Sequence, residues 1–192
     1  MPHPEQPAAR GTGPRLERRY YLDVVRPRLA PAQLMAVVQA DLPHFSPGLL
    51  ADFERTSAGE GQPLRVGDEF RIKILGPWNG SVRVTAVGPT FFELVTLEGH
   101  PEAGRIHFEA HALDGRSDAL RFEIRSLARS RDGLVAFAYD TIGGGRLVQA
   151  ATWVEFCQRV GQASGGQALG PVTLETIRHA EDGSTQQETD HA

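Results

Sequence analysis

The chain has 192 residues, 40% hydrophobic and 23% charged, which suits one soluble globular domain able to bury a core without disulfide or metal staples. Its formal net charge of -4 argues against a basic nucleic-acid surface. No apolar run reaches the roughly eighteen residues of a membrane span, and Cys157, the single cysteine, excludes an internal disulfide or a Cys-rich zinc site and fits a cytoplasmic setting.

Residues 1–15, rich in Pro, Gly and Ala with no hydrophobic period and no signal-peptide core, read as a flexible leader. Residues 19–25 (RYYLDVV) are β-branched and aromatic and read as a strand ended by Pro27. Pro31 suits a first helical turn, and Leu34, Met35, Val37 and Val38 give a short helix that stops before Pro43. Ser46-Pro47 suits the start of a second short turn through Leu50.

From about 52 to 129 the period becomes two. Phe70, Ile72 and Ile74 alternate with polar neighbours, as do Val82, Val84 and Ala86, then Ile106, Phe108, Ala110 and Ala112, then Leu120, Phe122 and Ile124. Residues 91–97 (FFELVTL) are apolar on both sides, as a strand covered on both faces would be. Turn residues separate the runs at Gly76-Pro77 to Asn79-Gly80, Gly88-Pro89, Gly99-His100-Pro101 and Asp114-Gly115. Such short connections predict an antiparallel meander, because parallel crossovers need a dozen or more residues.

Residues 132–162 read as helix, broken or bent at Gly143-Gly144-Gly145, since each helical glycine costs about 1 kcal/mol against alanine. Beyond the glycines, steps of about 100° gather Leu147, Ala150, Trp153, Val154, Phe156, Cys157 and Val160 on one side, with Thr152, Glu155, Gln158 and Arg159 on the other. Residues 163–171 read as a linker, and 181–192, with no aliphatic residue larger than alanine, as a disordered tail. The domain proper is therefore expected over 16–162, with linker and tail over 163–192.

The order is α+β: a strand, two short helices, about seven antiparallel strands in all, and a long C-terminal amphipathic helix. That order resembles the helix-grip fold of the START-like, birch-pollen-allergen-like (SRPBCC) superfamily, in which a curved sheet wraps the last helix and often leaves a hydrophobic cavity. A narrower resemblance lies in Gly99-His100-Pro101-Glu102-Ala103-Gly104-Arg105 and in residues 122–129 (FEIRSLAR). These are similar to an uncharacterised family, a domain of unknown function, with a Gly-His-Pro-Glu-x-Gly turn and a Ser-Arg pair before the last helix. Here Arg129 precedes Ser130 and Ser126 stands apart, while Arg105-Ile106 occupies a place that tends to be acidic in that family. The resemblance implies fold and pocket, and no activity.

The expected ligand site is the space between sheet and helix. Phe70, Phe92, Phe108, Phe122 and Trp153 would line it, Trp78, Ser126 and Tyr139 would be polar or rim partners, and Ala86, Ala110, Ala112, Ala150 and Ala151 would leave room. A small, largely apolar molecule is the ligand expected. His100 with Glu102 is the sharpest polar pair: a base with its orienter, a ligand contact, or simply the groups that satisfy a turn. No catalytic residue is assigned. His107 and His111, four residues apart on a strand, lie about 13 Å apart, too far to share a zinc ion.

No cofactor is expected, because Gly-x-Ser-x-Gly, the P-loop and a strand-borne Gly-x-Gly-x-x-Gly are all missing. Nineteen of the twenty basic residues are arginine, Lys73 being the lone lysine. Guanidinium forks suit anions, but the arginines are spread along the chain as a codon bias would leave them. Two further readings stay open on the same scaffold: a hydrolase- or cyclase-like enzyme, and a pocketless interaction module. A homo-oligomer is compatible with each.

Overall fold

Alternation on the first strand sets which residues face inward. The structure, a computed structural model, describes residues 3–47, 51–56, 62–74, 79–130 and 144–192. Strand β1 (Thr12–Val25) turns Arg18, Tyr20, Leu22 and Val24 to the buried side and leaves Arg19, Tyr21 and Asp23 on the outer face. Helices α1 (Pro31–Ala40) and α2 (Leu42–Phe45) then carry the chain to the far edge of the sheet. There β2 (Ala51–Arg55), β3 (Glu69–Ile74), β4 (Gly80–Val87), β5 (Phe91–Thr96), β6 (Glu102–Ala112) and β7 (Ala119–Ser130) form an antiparallel meander. It returns to β1 with Tyr20 opposite Ile124 and Leu22 opposite Phe122.

Helix α3 (Gly144–Ala163) lies against the inner face of this sheet, contacting β1 and β7. Its Trp153, Phe156, Cys157 and Val160 are buried together with Leu34, Met35 and Val38 of α1 and Leu42 and Phe45 of α2. The chain thus has the helix-grip architecture. The sheet is larger than the seven strands expected. Among the described residues it has ten strands, because β8 (Gln167–Ala168) and β9 (Thr173–His179) pair with β1 and β10 (Thr185–His191) pairs with β9. Val172 is fully buried and Leu174 packs against the core, so the stretch read as linker and disordered tail is paired backbone here.

The leader also differs from its expectation. Residues 4–6 run beside β5: Gln6 N–H donates to Thr96 O (2.7 Å), Glu98 N–H donates to Pro4 O (2.8 Å), and Glu5 bridges Leu97. A 3-10 turn at Ala8–Arg10 then leads into β1. Val95, on the outer side of a strand that was apolar on both faces, is buried and faces a groove whose other wall is Pro7, Ala8 and Ala9 of this strap.

Three smaller differences have local causes. A register shift between Val84 and Ala86 turns Val87, not Ala86, toward the core opposite Phe92. Ala112, at the end of β6, and Ala151 are exposed, whereas Thr152 is buried. The second short helix opens at Asp41, whose carboxylate accepts from His44 N–H (3.3 Å), so Pro43 falls in its first turn, and Ser46 follows the helix instead of opening it. The expected turn through Leu50, and whether the glycines at 143–145 break a longer helix, fall on or run into residues outside those described.

Candidate functional site

The inner face gathers aromatic rings contributed by separate elements. Phe108 on β6 stacks on Phe92 of β5 at 4.4 Å between centroids and meets Trp153 at 5.7 Å and Phe156 at 5.4 Å. Phe156 also contacts Phe45, Phe122 and Trp153 at 5.9–6.0 Å. Phe53 lies 6.4 Å from both Trp153 and Phe70. The period-two strands and the 100° helix steps thus bring Phe70, Phe92, Phe108, Phe122 and Trp153 into one connected cluster.

Within this cluster one polar atom lacks a partner. The Trp153 indole Nε1–H is buried and has no hydrogen-bond acceptor among the described residues. Leaving a buried donor unsatisfied costs about 1–3 kcal/mol, so such groups are uncommon in folded interiors. On the flank of the cluster, a cleft of about 580 Å³ opens between the α1–α2 connection and β2–β3. Phe53, Phe70 and Leu42 contribute its apolar lining, and Asp41, Asp52, Glu54, Arg55 and Lys73 its charged groups.

The polar end of the inner face holds Arg18, Tyr20, Glu102 and Ser126. Arg18 and Ser126 are register partners on β1 and β7, and Arg18 Nη1 lies 3.8 Å from Glu102 Oε1 with both side chains largely buried. Burial pushes the Tyr20 phenol up to about 12; Arg18 pulls it down and Glu102 adds to the rise. Burial likewise raises the Cys157 thiol far above its ordinary range, which keeps it protonated and inert. Because the folded Tyr20 resists ionisation, folding stability is intact below pH 10 and falls as pH rises from 10 through 12. Urea midpoints across that window should show a loss on the order of 2 kcal/mol that is missing in Tyr20→Phe.

His100 and Glu102 are near each other but do not form a base with its orienter. Gly99, at φ +95°, supplies the left-handed turn, and Glu102 N–H donates to His100 Nδ1 (3.0 Å). Gln6 Nε2 donates to the carbonyls of both residues, at 3.0 and 3.1 Å. With Nδ1 engaged by the backbone and the Glu102 carboxylate directed at Arg18, the geometry is that of a satisfied turn.

The turn also accounts for two glycines. A Cβ on Gly80 would lie 2.1 Å from the His100 ring, and one on Gly104 would lie 2.2 Å from the Leu127 carbonyl oxygen. The second obstacle is backbone and cannot swing away. Gly104→Ala should therefore destabilise by about 1–3 kcal/mol in urea unfolding; an unchanged midpoint would refute that close approach.

Trp78 and Tyr139 lie outside the described residues. Arg18, Tyr20 and Phe53 were not singled out from sequence as site residues. In the structure the inward alternation of Tyr20, Leu22 and Val24 extends back to Arg18, a residue before the strand start read from sequence. His107 and His111 are on the outer face, beside Glu93 and Glu109 and beside Glu123.

Residues 18–159 match the model of a family described as a domain of unknown function (DUF1990). No curated protein matches the chain. Among solved structures, a conserved protein from Geobacillus kaustophilus is similar at a TM-score of 0.50 and 12% identity, over 79% of this chain and 98% of that one. A norcoclaurine synthase point mutant from Thalictrum flavum, in complex with a transition-state analogue, has the same TM-score, identity and coverage. The truncated norcoclaurine synthase from the same source has a TM-score of 0.50 at 12% identity, over 78% and 95% of the two chains. At such identity these likenesses show the fold.

Proposed function

The chain belongs to the DUF1990 family, a domain of unknown function, and we propose that this chain binds a small, largely apolar molecule carrying one hydrogen-bond acceptor, between the sheet and α3. The observation that carries this reading is the buried, unpartnered indole N–H of Trp153 inside an aromatic cluster. An acceptor on the ligand would satisfy that donor. Phe70, Phe92, Phe108 and Phe122 would supply apolar contact, and Ser126, His100 and Glu102 would lie toward the polar end. Trp78 and Tyr139 belong to the same proposal as rim partners.

Two further points support the reading. Phe70 of the cluster also lines the flanking cleft, whose 580 Å³ is within the roughly 300–1,000 Å³ of small-ligand sites, although Phe92, Phe108, Phe122 and Trp153 do not line it. Each 100 Å² of apolar ligand surface removed from water contributes about 2.5 kcal/mol, partly offset by lost ligand freedom. A protein of similar fold, the norcoclaurine synthase, has been seen with a transition-state analogue bound. No helix among the described residues is long and apolar enough to cross a membrane, and the lone, buried cysteine supports a reducing, cytoplasmic location.

Native mass spectrometry of protein purified from its host tests the proposal. A discrete non-covalent mass excess, lost on acid extraction and much reduced in Trp153→Phe, is the expected result. A mass equal to the polypeptide alone, with no small molecule in the extract, would overturn it.

A second reading, catalysis in the same space, is favoured by Tyr20. Its phenol is held protonated beside Arg18 and Glu102, so it could donate a hydrogen bond to charge developing on a bound substrate. It requires that Tyr20→Phe abolish turnover of the extracted molecule while leaving its binding intact.

A further inference from the structure

The motif residues that the turn does not use, Arg105 and Arg129, come together on the outer face of the sheet. Arg105 pairs in register with Leu127, and Ala103 with Arg129. The two arginines are therefore diagonal cross-strand neighbours, with Cβ atoms about 7–8 Å apart. Arg15 comes from the adjacent β1, where Leu16 pairs with Ala128. All three line a groove of about 680 Å³ between the sheet and the N-terminal strap, with Val95 and Leu127 on the sheet side and Pro7, Ala8 and Ala9 on the strap side.

Other arginines of the outer face are neutralised. Arg19 and Arg125 hold the fully buried Glu123, Arg121 holds Asp23 at 2.6 Å, and Arg83 holds Glu69 at 2.7 Å. Among the described residues Arg105 and Arg129 have no such partner. The carboxylates that border the groove are engaged away from them: Glu5 with Arg83 at 3.6 Å and Glu93 with His107 at 4.0 Å. Arg15 uses Nη2 on Glu17 at 3.2 Å, while its Nε is buried without an acceptor.

Like charges on neighbouring strands repel, and among the described residues no carboxylate forms an ion pair with Arg105 or Arg129. An anion between the forks would offset the repulsion, with the bidentate geometry that guanidinium groups favour for carboxylates and phosphates. We propose that this outer groove is an anion site, in which Arg105 and Arg129, with Arg15 beside them, hold the carboxylate or phosphate group of a small ligand. Leu127, Val95 and the strap give the remainder of that ligand an apolar surface. The site is on the opposite side of the sheet from the interior cluster and does not depend on it.

The test follows the arginine Nε–Hε resonances of the full chain by NMR during titration with sodium phosphate, and separately with sodium acetate, each against sodium chloride at matched ionic strength. Saturable shifts of Arg15, Arg105 and Arg129 that chloride does not reproduce are expected. They should weaken at least tenfold in Arg105→Gln/Arg129→Gln, whose urea midpoint should be no lower than the parent's because the repulsion is gone. Saturation by phosphate alone identifies a phosphate-bearing ligand, and saturation by acetate as well a carboxylate-bearing one. Shifts that merely track ionic strength in both arms, or that saturate equally in the double variant, would overturn the proposal.

Discussion

Phe156→Ala is expected to lower the unfolding free energy by about 3–5 kcal/mol, the range for truncating a fully buried phenylalanine. Phe156, with Trp153, is a ring through which α3 engages the sheet. It touches Phe108 and Phe122 on the sheet, Phe45 on α2 and Trp153 on its own helix, and it is fully buried. Alanine removes those contacts at once and leaves a cavity that a sheet on one side and a helix on the other cannot collapse to fill. Phe156→Leu keeps most of the volume and should lose clearly less. Urea unfolding of both variants gives the answer. A loss under about 1 kcal/mol for the alanine variant would mean that α3 is not docked on these rings.

Asp68→Ala is expected to cost about 3 kcal/mol, because it strands a buried guanidinium. Arg55 and Asp68 form an ion pair with both side chains about 10% exposed. Arg55 also donates to Gln62 O (2.6 Å) and Pro63 O (3.1 Å), and Asp68 accepts from Arg65 N–H (2.7 Å). These bonds tie the end of the β2–β3 connection to the sheet and hold Leu64 in the core. Replacing both partners by apolar residues, as Arg55→Met with Asp68→Leu, should recover most of the loss, because the cost lies in the unpaired charge and not in missing attraction. Equal losses in the single and double variants would contradict that account.

The parts of the fold that were legible in the sequence are those where burial imposes a period. Phe70 and Ile72, Phe108 and Ala110, and Phe122 and Ile124 alternate because one face of each strand meets the core. Trp153, Phe156, Cys157 and Val160 recur at helical spacing for the same reason. Strand β10 (TQQETDH) is exposed on both faces and is held by backbone pairing to β9, so no hydrophobic period marks it. The strap was illegible for a related reason: Gln6 anchors it through polar bonds to the His100 turn and to Thr96. The bulge at Val84/Ala86 changes which residue faces inward without changing the composition around it. At the candidate site the rings were readable individually. That they touch, that Trp153 Nε1 lacks an acceptor, and that Arg105 and Arg129 converge follow from register and from helix placement, which one sequence does not encode locally.

The proposed interior binding site is tested most directly by the Trp153 indole N–H resonance, identified by its loss in Trp153→Phe. It should be recorded in protein as purified from its host and again after extraction of bound small molecules and refolding. A downfield, slowly exchanging indole proton in the first sample that moves upfield in the second, and returns when the extract is added back, is the result expected of a ligand acceptor at Nε1. An indole resonance identical in all three samples would contradict the presence of a ligand between the sheet and α3.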